Sequence, residues 1–263
     1  MHTLTLWTND AQCAAWADGA GVDRIGLDLE TLGKSDRQKG LPTWISQHSL
    51  DDLERIRPSI GKAALFVRSN PLHEGSALEI EALLARHVAV IMLPNFTRAS
   101  EVEAFLGLVR GRARVVPLVE RLAALDAIGA LPPLGIEEIH VGLNDLSIDL
   151  GERNRLAVLG LPVMERLSEL ARRAGLKLGL GGLARALDDT LPVPSDLVYA
   201  QHARLGASGA LIARSFFTLD MTEARFAAEI TRMRARLAEW ASASAAELEK
   251  VRAELVRRAQ ALP

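Results

Sequence analysis

The chain has 263 residues, 49% of them hydrophobic, and a formal net charge of −2. That is enough apolar material for one large core, and the near-neutral balance argues against nucleic acid or a membrane surface as a partner. The single cysteine, Cys13, excludes an intrachain disulfide and any multi-thiolate metal site.

Met1 to Asp10 holds no basic stretch followed by a long apolar one, and no run is long enough to span a bilayer. A cytoplasmic location is therefore expected. From Leu4 onward, short apolar runs alternate with longer helix-like segments. Strands are expected over Leu4–Trp7, Arg24–Leu29, Ala63–Arg68, Val88–Leu93, Arg114–Val119, Glu138–Leu143, Lys177–Leu180 and Ala210–Ala213. Helices are expected between them, among them Ser76–Arg86, Ser100–Val109, Leu156–Ala174 and Pro194–Leu205. The third to sixth strand ends, at Arg68, Pro94, Glu120 and Asp145, are spaced by 26, 26 and 25 residues, the length of a strand, a helix and two short loops.

Eight such units with no change of composition predict an α/β fold, a single (β/α)8 TIM barrel over residues 1–219. An open doubly wound sheet is the alternative, since strand count does not prove closure. Residues 220–263 form an extended helical tail. Phe226, Ile230, Met233, Leu237 and Trp240 follow steps of four, three, four and three, a heptad seam. After Ala241-Ser242-Ala243-Ser244 a second stripe runs through Leu248, Val251, Leu255 and Leu262. Two stripes exceed what one barrel flank needs. The tail is expected to cover the barrel and to pack on a neighbouring subunit, making a homo-oligomer.

The candidate chemistry lies at the strand ends. Glu120 follows Val115-Val116-Pro117-Leu118-Val119, and Asp145 follows Ile139-His140-Val141-Gly142-Leu143-Asn144. Carboxylates at the carboxyl ends of parallel strands face the mouth where ligands bind. Two of them can hold a hard divalent cation such as Mg²⁺, with Mn²⁺ or Co²⁺ able to take similar ligands. Asp28 and Glu30 are two apart on the second strand and share a face, either at the mouth or paired with Arg24 or Arg37 as loop anchors. Arg68 can grip a carboxylate with two parallel hydrogen bonds, or neutralise Asp28 or Glu30. Gly181 and Gly182 let backbone approach a ligand. Arg185 and Arg214, after the seventh and eighth strands, are candidates for an anion site or simply surface arginines. His48 and His73 lie in loops on the mouth side. His48 is the preferred general base, on a loop from Thr31 to Gln47 long enough to fold over the mouth.

Together, Asp28-Leu29-Glu30, Val67-Arg68-Ser69-Asn70, Leu93-Pro94, Pro117-Leu118-Val119-Glu120, and Gly142-Leu143-Asn144-Asp145-Leu146 with Asp149-Leu150-Gly151 resemble the citrate-lyase β-subunit and HpcH/HpaI hydroxy-oxo-acid aldolase family of the phosphoenolpyruvate/pyruvate barrels. The resemblance spans roughly Arg24 to Phe217. It implies Mg²⁺ on Glu120 and Asp145, a 2-oxo acid held by Arg68, and carbon–carbon bond cleavage or formation. Thr31 stands where the aldolase branch has histidine and the citrate-lyase branch usually aspartate. Leu118 fits the citrate-lyase branch, but Arg121 replaces that branch's threonine.

The resulting expectation is a metal-dependent (class II) aldolase or lyase acting through a metal-stabilised pyruvate-type enolate. Its substrates are a small 2-oxo acid and an aldehyde or acyl co-substrate. Asp28 and Glu30 position water and loop, His48 or water moves the proton, and Gly181, Gly182, Arg185 and Arg214 hold the other substrate half. A citryl- or malyl-thioester lyase and a non-catalytic metabolite-binding barrel are the alternatives.

Overall fold

Apolar runs rich in Val, Ile and Leu and buried on both faces are the material of parallel strands, which need helices on their outer side. A computed structural model describes residues 2–34 and 46–262. Most of the expected loop from Thr31 to Gln47 lies outside the described residues. The strands are β1 (Thr3–Trp7), β2 (Arg24–Asp28), β3 (Ala64–Arg68), β4 (Val90–Leu93), β5 (Arg114–Val119), β6 (Glu138–Val141), β7 (Lys177–Leu183) and β8 (Gly209–Ile212). They form a closed parallel barrel in chain order, and β8 returns to β1 from Thr3↔Gly209 to Thr5↔Leu211. Closure settles the choice against an open sheet.

Among the described residues, the α-helices are α1 (Ala11–Gly19), α2 (Leu50–Ile56), α3 (Ser76–Ala85), α4 (Ala99–Val109), α5 (Leu143–Asp149), α6 (Pro162–Arg173), α7 (Ser195–Arg204), α8 (Glu223–Trp240) and α9 (Ala245–Gln260). Their starts are written locally. Asp10 accepts the Cys13 amide at 2.6 Å, and Ser49 with Asp52 forms a capping box on α2.

Three local departures bear on the site. Leu156–Ala174 is not one helix. It divides into a 3₁₀ stretch, Ala157–Gly160, and α6, because Pro162 cannot sit inside a helix but suits its first position. Between β5 and β6 the chain makes 3₁₀ turns, Leu122–Ala130 and Pro132–Leu134, in place of an α-helix. β6 ends at Val141, and Gly142 turns the chain directly into α5, so Asp145 lies in the first turn of a helix and not at a strand end.

Inside the barrel, Phe66, Val90, Met92, Val116 and Leu118 pack together with Trp7 and Ala64 against them. At the floor, where β2 and β6 begin, Arg24 donates to both oxygens of Glu138 at 2.7 and 2.6 Å. Both side chains are buried, and each satisfies the other's charge. The larger core lies between the strands and the helices.

The α8 stripe from Phe226 to Trp240 is buried in that same core. Each such side chain contributes about 1.5–3 kcal/mol on burial. The second stripe finds its partner in the same chain. Leu255 and Ala259 are buried, Leu248 and Val251 pack against the main core, and Leu262 packs beside Ala157 and Val193. Arg252 donates to the Gly160 carbonyl at 2.9 Å, and Asn154 donates to the Ala259 carbonyl at 3.1 Å. A Cβ on Gly160 would meet Val256 at 2.3 Å, so α9 is seated directly on the Ala157–Gly160 turn. The expectation that this stripe would lack an intramolecular surface is corrected. Turn and helix faces left by the break at Pro162 supply that surface. Among the described residues no helix is long and apolar enough to cross a membrane.

Candidate metal and anion site at the barrel mouth

Glu120 is the first residue past β5, Glu30 the second past β2, and Asp145 the third of α5. They are 1%, 0% and 5% exposed. One carboxylate oxygen from each lies within 4.8 Å of the others. Sequence reading paired Glu120 with Asp145 as the metal ligands and placed Glu30 beside them, whereas barrel curvature brings all three into one cluster. Gly142 makes room for it, since a Cβ there would lie 2.5 Å from Oε2 of Glu120. The loop after β5 and helix α5 are tied together. Asp149 accepts the Leu122 amide at 2.7 Å and faces Arg121 Nε at 3.3 Å. Arg121, where the resemblance leads one to expect threonine, is thus part of this tie.

Beside the cluster, Asp28 accepts from Arg68 Nε and Nη2, both at 2.8 Å, and from Lys34 Nζ at 2.8 Å. Lys34 is also 3.5 Å from Glu30, and Arg68 is 3.3 Å from it. Burial alone would raise the Asp28 carboxyl, but Arg68 and Lys34 outweigh it and hold the group well below the usual carboxylate range. For Arg68, burial opposes the charge, and Asp28, Glu30 and Glu120 more than restore it. The guanidinium also lies over the Trp7 ring, 4.6 Å from its centroid. Arg68 therefore spends its two-pronged face on Asp28, the neutralising contact weighed for it in the sequence.

Four buried carboxylates, Asp28, Glu30, Glu120 and Asp145, face two buried cations, Arg68 and Lys34. Oxygens of three buried carboxylates gathered this closely suit a cation among them. An all-oxygen donor set is the kind that Mg²⁺ and Mn²⁺ take. The residues present fit such an ion.

His48 stands at the rim, half-buried. Its Nδ1 accepts the main-chain amide of Asp28 at 3.0 Å. Burial lowers its pKa. Asp28 and Asp52 oppose the shift, and Arg214 and Lys34 add to it. His73 is elsewhere engaged: it accepts the Gly75 amide at Nδ1 and lies 3.1 Å from Glu79 at Nε2. Thr31 is held by Asn70, whose side-chain oxygen takes the Thr31 and Leu32 amides at 2.9 Å each.

Arg185 is held by its own turn. It donates to the carbonyls of Ser215 and Phe216 at 3.1 and 2.9 Å and pairs with Asp188. Its contacts instead fix the turn that begins at Arg214. Arg214 is exposed as a residue, yet loss of hydration lowers its pKa first, against Asp28 and together with Arg155 and Arg68. Those partners place it at the same mouth. Gly182 occupies the left-handed region at φ 98° where the β7–β8 register shifts, which favours glycine there. Gly181 has open space above its Cα.

Sequence reasoning missed Lys34 and the walling role of Gly142. Lys34 follows Glu30 by four residues, a spacing that could have suggested a pair. Two hollows on the outer surface, lined by Glu81, His87 and Arg112 and by Arg112, Leu134 and Glu137, lie at the opposite end of the strands and hold none of these groups.

No protein-family model matches the chain. No curated protein matches it either. Its shape does match solved structures. An HpcH/HpaI aldolase from Desulfitobacterium hafniense DCB-2 superposes with a TM-score of 0.58 at 13% identity, over 81% of this chain and 86% of that one. RipC from Yersinia pestis gives 0.58 at 17%, over 94% and 98%. An HpcH/HpaI aldolase/citrate lyase family protein from Burkholderia cenocepacia J2315 gives 0.60 at 13%, over 90% and 95%. At these identities the likeness is one of fold. In fold, the chain resembles the family that its strand-end residues resemble in sequence.

Proposed function

We propose that this chain is a divalent-metal-dependent carbon–carbon lyase of the aldolase type, cleaving or forming a hydroxy-oxo acid. The observation that carries the reading is the convergence of buried Glu30, Glu120 and Asp145 beside the fixed Arg68 guanidinium. The aldolase and lyase names borne by barrels of the same shape support it.

Glu120 and Asp145 are the proposed ligands, with Glu30 in reach as a third. Mg²⁺ is the expected ion, and Mn²⁺ or Co²⁺ can replace it. Such an ion would supply Lewis acidity to the oxygens of a 2-oxo acid. Arg68, immobilised by Asp28 and Trp7, adds fixed positive charge next to the same atoms. Lys34 holds Asp28 and Glu30 in place. Arg214 stands over the mouth, suited to an anionic group on the aldehyde or acyl half. We further propose a homo-oligomer acting in the cytoplasm, with residues 1–219 as the barrel and 220–263 as the helices that cover it.

The test begins with protein stripped by a chelator. Adding Mg²⁺ or Mn²⁺ should restore pyruvate release from a panel of 4-hydroxy-2-oxo acids. Glu120→Ala and Asp145→Ala should abolish both metal binding in calorimetry and turnover while leaving the circular dichroism spectrum intact. Turnover that ignores the metal, or full activity in either variant, would overturn the reading.

A further inference from the structure

We propose that His48 serves the reaction as a fixed hydrogen-bond donor through Nε2–H and not as the proton acceptor. A main-chain amide can only donate. The Asp28 amide points at Nδ1 from 3.0 Å, so Nδ1 must present its lone pair. A neutral imidazole carries one proton, which is then on Nε2. A base acting through the outward nitrogen needs the other tautomer, and that tautomer would set two N–H groups against each other.

The local backbone explains why this amide is available. β1 ends at Trp7, opposite Gly26, and its last ladder bond runs from the Thr8 amide to the Gly26 carbonyl at 2.9 Å. On the other side of β2 the Leu29 amide bonds the Arg68 carbonyl at 2.9 Å. The Asp28 amide faces the β1 side, past the end of that strand, and the His48 ring takes the place a further strand residue would fill. Both partners are anchored by further bonds. The Asp28 side chain is gripped by Arg68 and Lys34, and the residue after His48 is held where the Ser49 amide donates to Asp52 at 2.8 Å.

Among the described residues, Asp28 and Asp52 act on the ring electrostatically in one sense and Arg214 and Lys34 in the other. The one hydrogen bond at Nδ1 comes from the backbone amide, which sets the tautomer. This differs from a histidine whose Nδ1–H is held by a carboxylate, which leaves Nε2 free as a base. The role rests on the lyase reading above. The oxygen served is the one that bears negative charge when the carbon–carbon bond forms or breaks, the alkoxide oxygen of the aldehyde half. No proton passes to or from the ring. A donor of this kind acts through preorganised electrostatics and contributes a factor of about 10²–10³ in rate.

Two measurements decide it. Long-range ¹H–¹⁵N spectra of histidine-labelled protein near neutral pH, with the His48 signals identified by their loss in His48→Ala, should show Nε2 protonated and Nδ1 bare. An Nδ1-protonated ring would overturn the proposal whether or not the protein is a lyase. Then His48→Gln, which keeps an N–H donor near the Nε2 position but accepts no proton, should retain kcat within about tenfold of wild type, whereas His48→Ala should lose about 10²-fold or more. Equal, large losses in both variants would restore the base and overturn the donor. If wild-type protein cleaves no hydroxy-oxo acid, the lyase reading fails and the role in catalysis fails with it, while the spectra still decide the tautomer.

Discussion

Gly142 and Glu120 are in such close apposition that a Cβ on the first would lie 2.5 Å from a carboxylate oxygen of the second and 2.8 Å from its Cβ. The residue that turns β6 into α5 is therefore also the wall behind a candidate metal ligand. Its φ of −88° is open to any residue, so only the contact demands glycine.

Gly142→Ala should consequently push Glu120 out of the cluster without unfolding the barrel. Mn²⁺ affinity by calorimetry should fall by at least about tenfold, roughly 1.4 kcal/mol, the scale of one weakened ligand. An unchanged dissociation constant would show that Glu120 has another place to go.

Arg68→Lys keeps a charge but cannot reproduce the paired bonds to Asp28 or the stacking on Trp7. A loss in kcat/KM of about 10²-fold is expected, with most of it in kcat if the fixed charge acts on the transition state. Wild-type kinetics would reduce Arg68 to a neutralising partner of Asp28.

Acid should loosen the fold through two buried histidines. Desolvation lowers His140 to about 4 and His202 to about 3, from an ordinary 6.5. For His140, Glu138 opposes the shift and Arg24 and Arg68 add to it. For His202, the neighbouring His2 and His140 add to it. A histidine held neutral contributes stability that is complete above about pH 6.5 and is lost as pH falls toward the folded value, by up to about 1.4 kcal/mol per unit for each group. The urea midpoint should therefore fall between pH 7 and pH 5. His202→Leu should flatten that dependence. An identical slope in the variant would assign the acid sensitivity to other groups.

Truncation before Ser242 removes α9 and uncovers the Ala157–Gly160 turn. Thermal unfolding should drop by several degrees, since Leu255 alone represents about 2 kcal/mol of burial. Amide exchange should rise first around Asn154 and Gly160, the points where α9 bonds the turn. Light scattering on the same pair of proteins tests the oligomer. A monomeric full-length chain would refute it.

The barrel was legible because parallel strands buried on both faces leave continuous apolar runs, and all eight were found. Glu30, Asp28, Arg68 and Glu120 were legible for the same reason, as charged residues closing such runs. Asp145 was found, but its element was misread, because Gly142 and Leu143 extend the apolar run while the chain has already turned. Gly142 acts across loops that only barrel closure brings together, whereas Lys34 pairs within its own segment, with Asp28 and Glu30 six and four residues before it. The anchoring of Arg185 was not legible, because two of its partners are carbonyls, which carry no side-chain signature. The second tail stripe was given to a neighbour because nothing in a periodic pattern says which surface will meet it.

The Arg24–Glu138 pair has a bearing on where solvent can travel. Its two bonds tie the starts of β2 and β6 across the floor, and Phe66, Val116 and Leu118 pack inside the barrel. On the proposed function, water and product then exchange through the mouth by which the substrate enters. A seated substrate is then its own stopper, and proton exchange with bulk solvent should follow the rhythm of its arrival and departure.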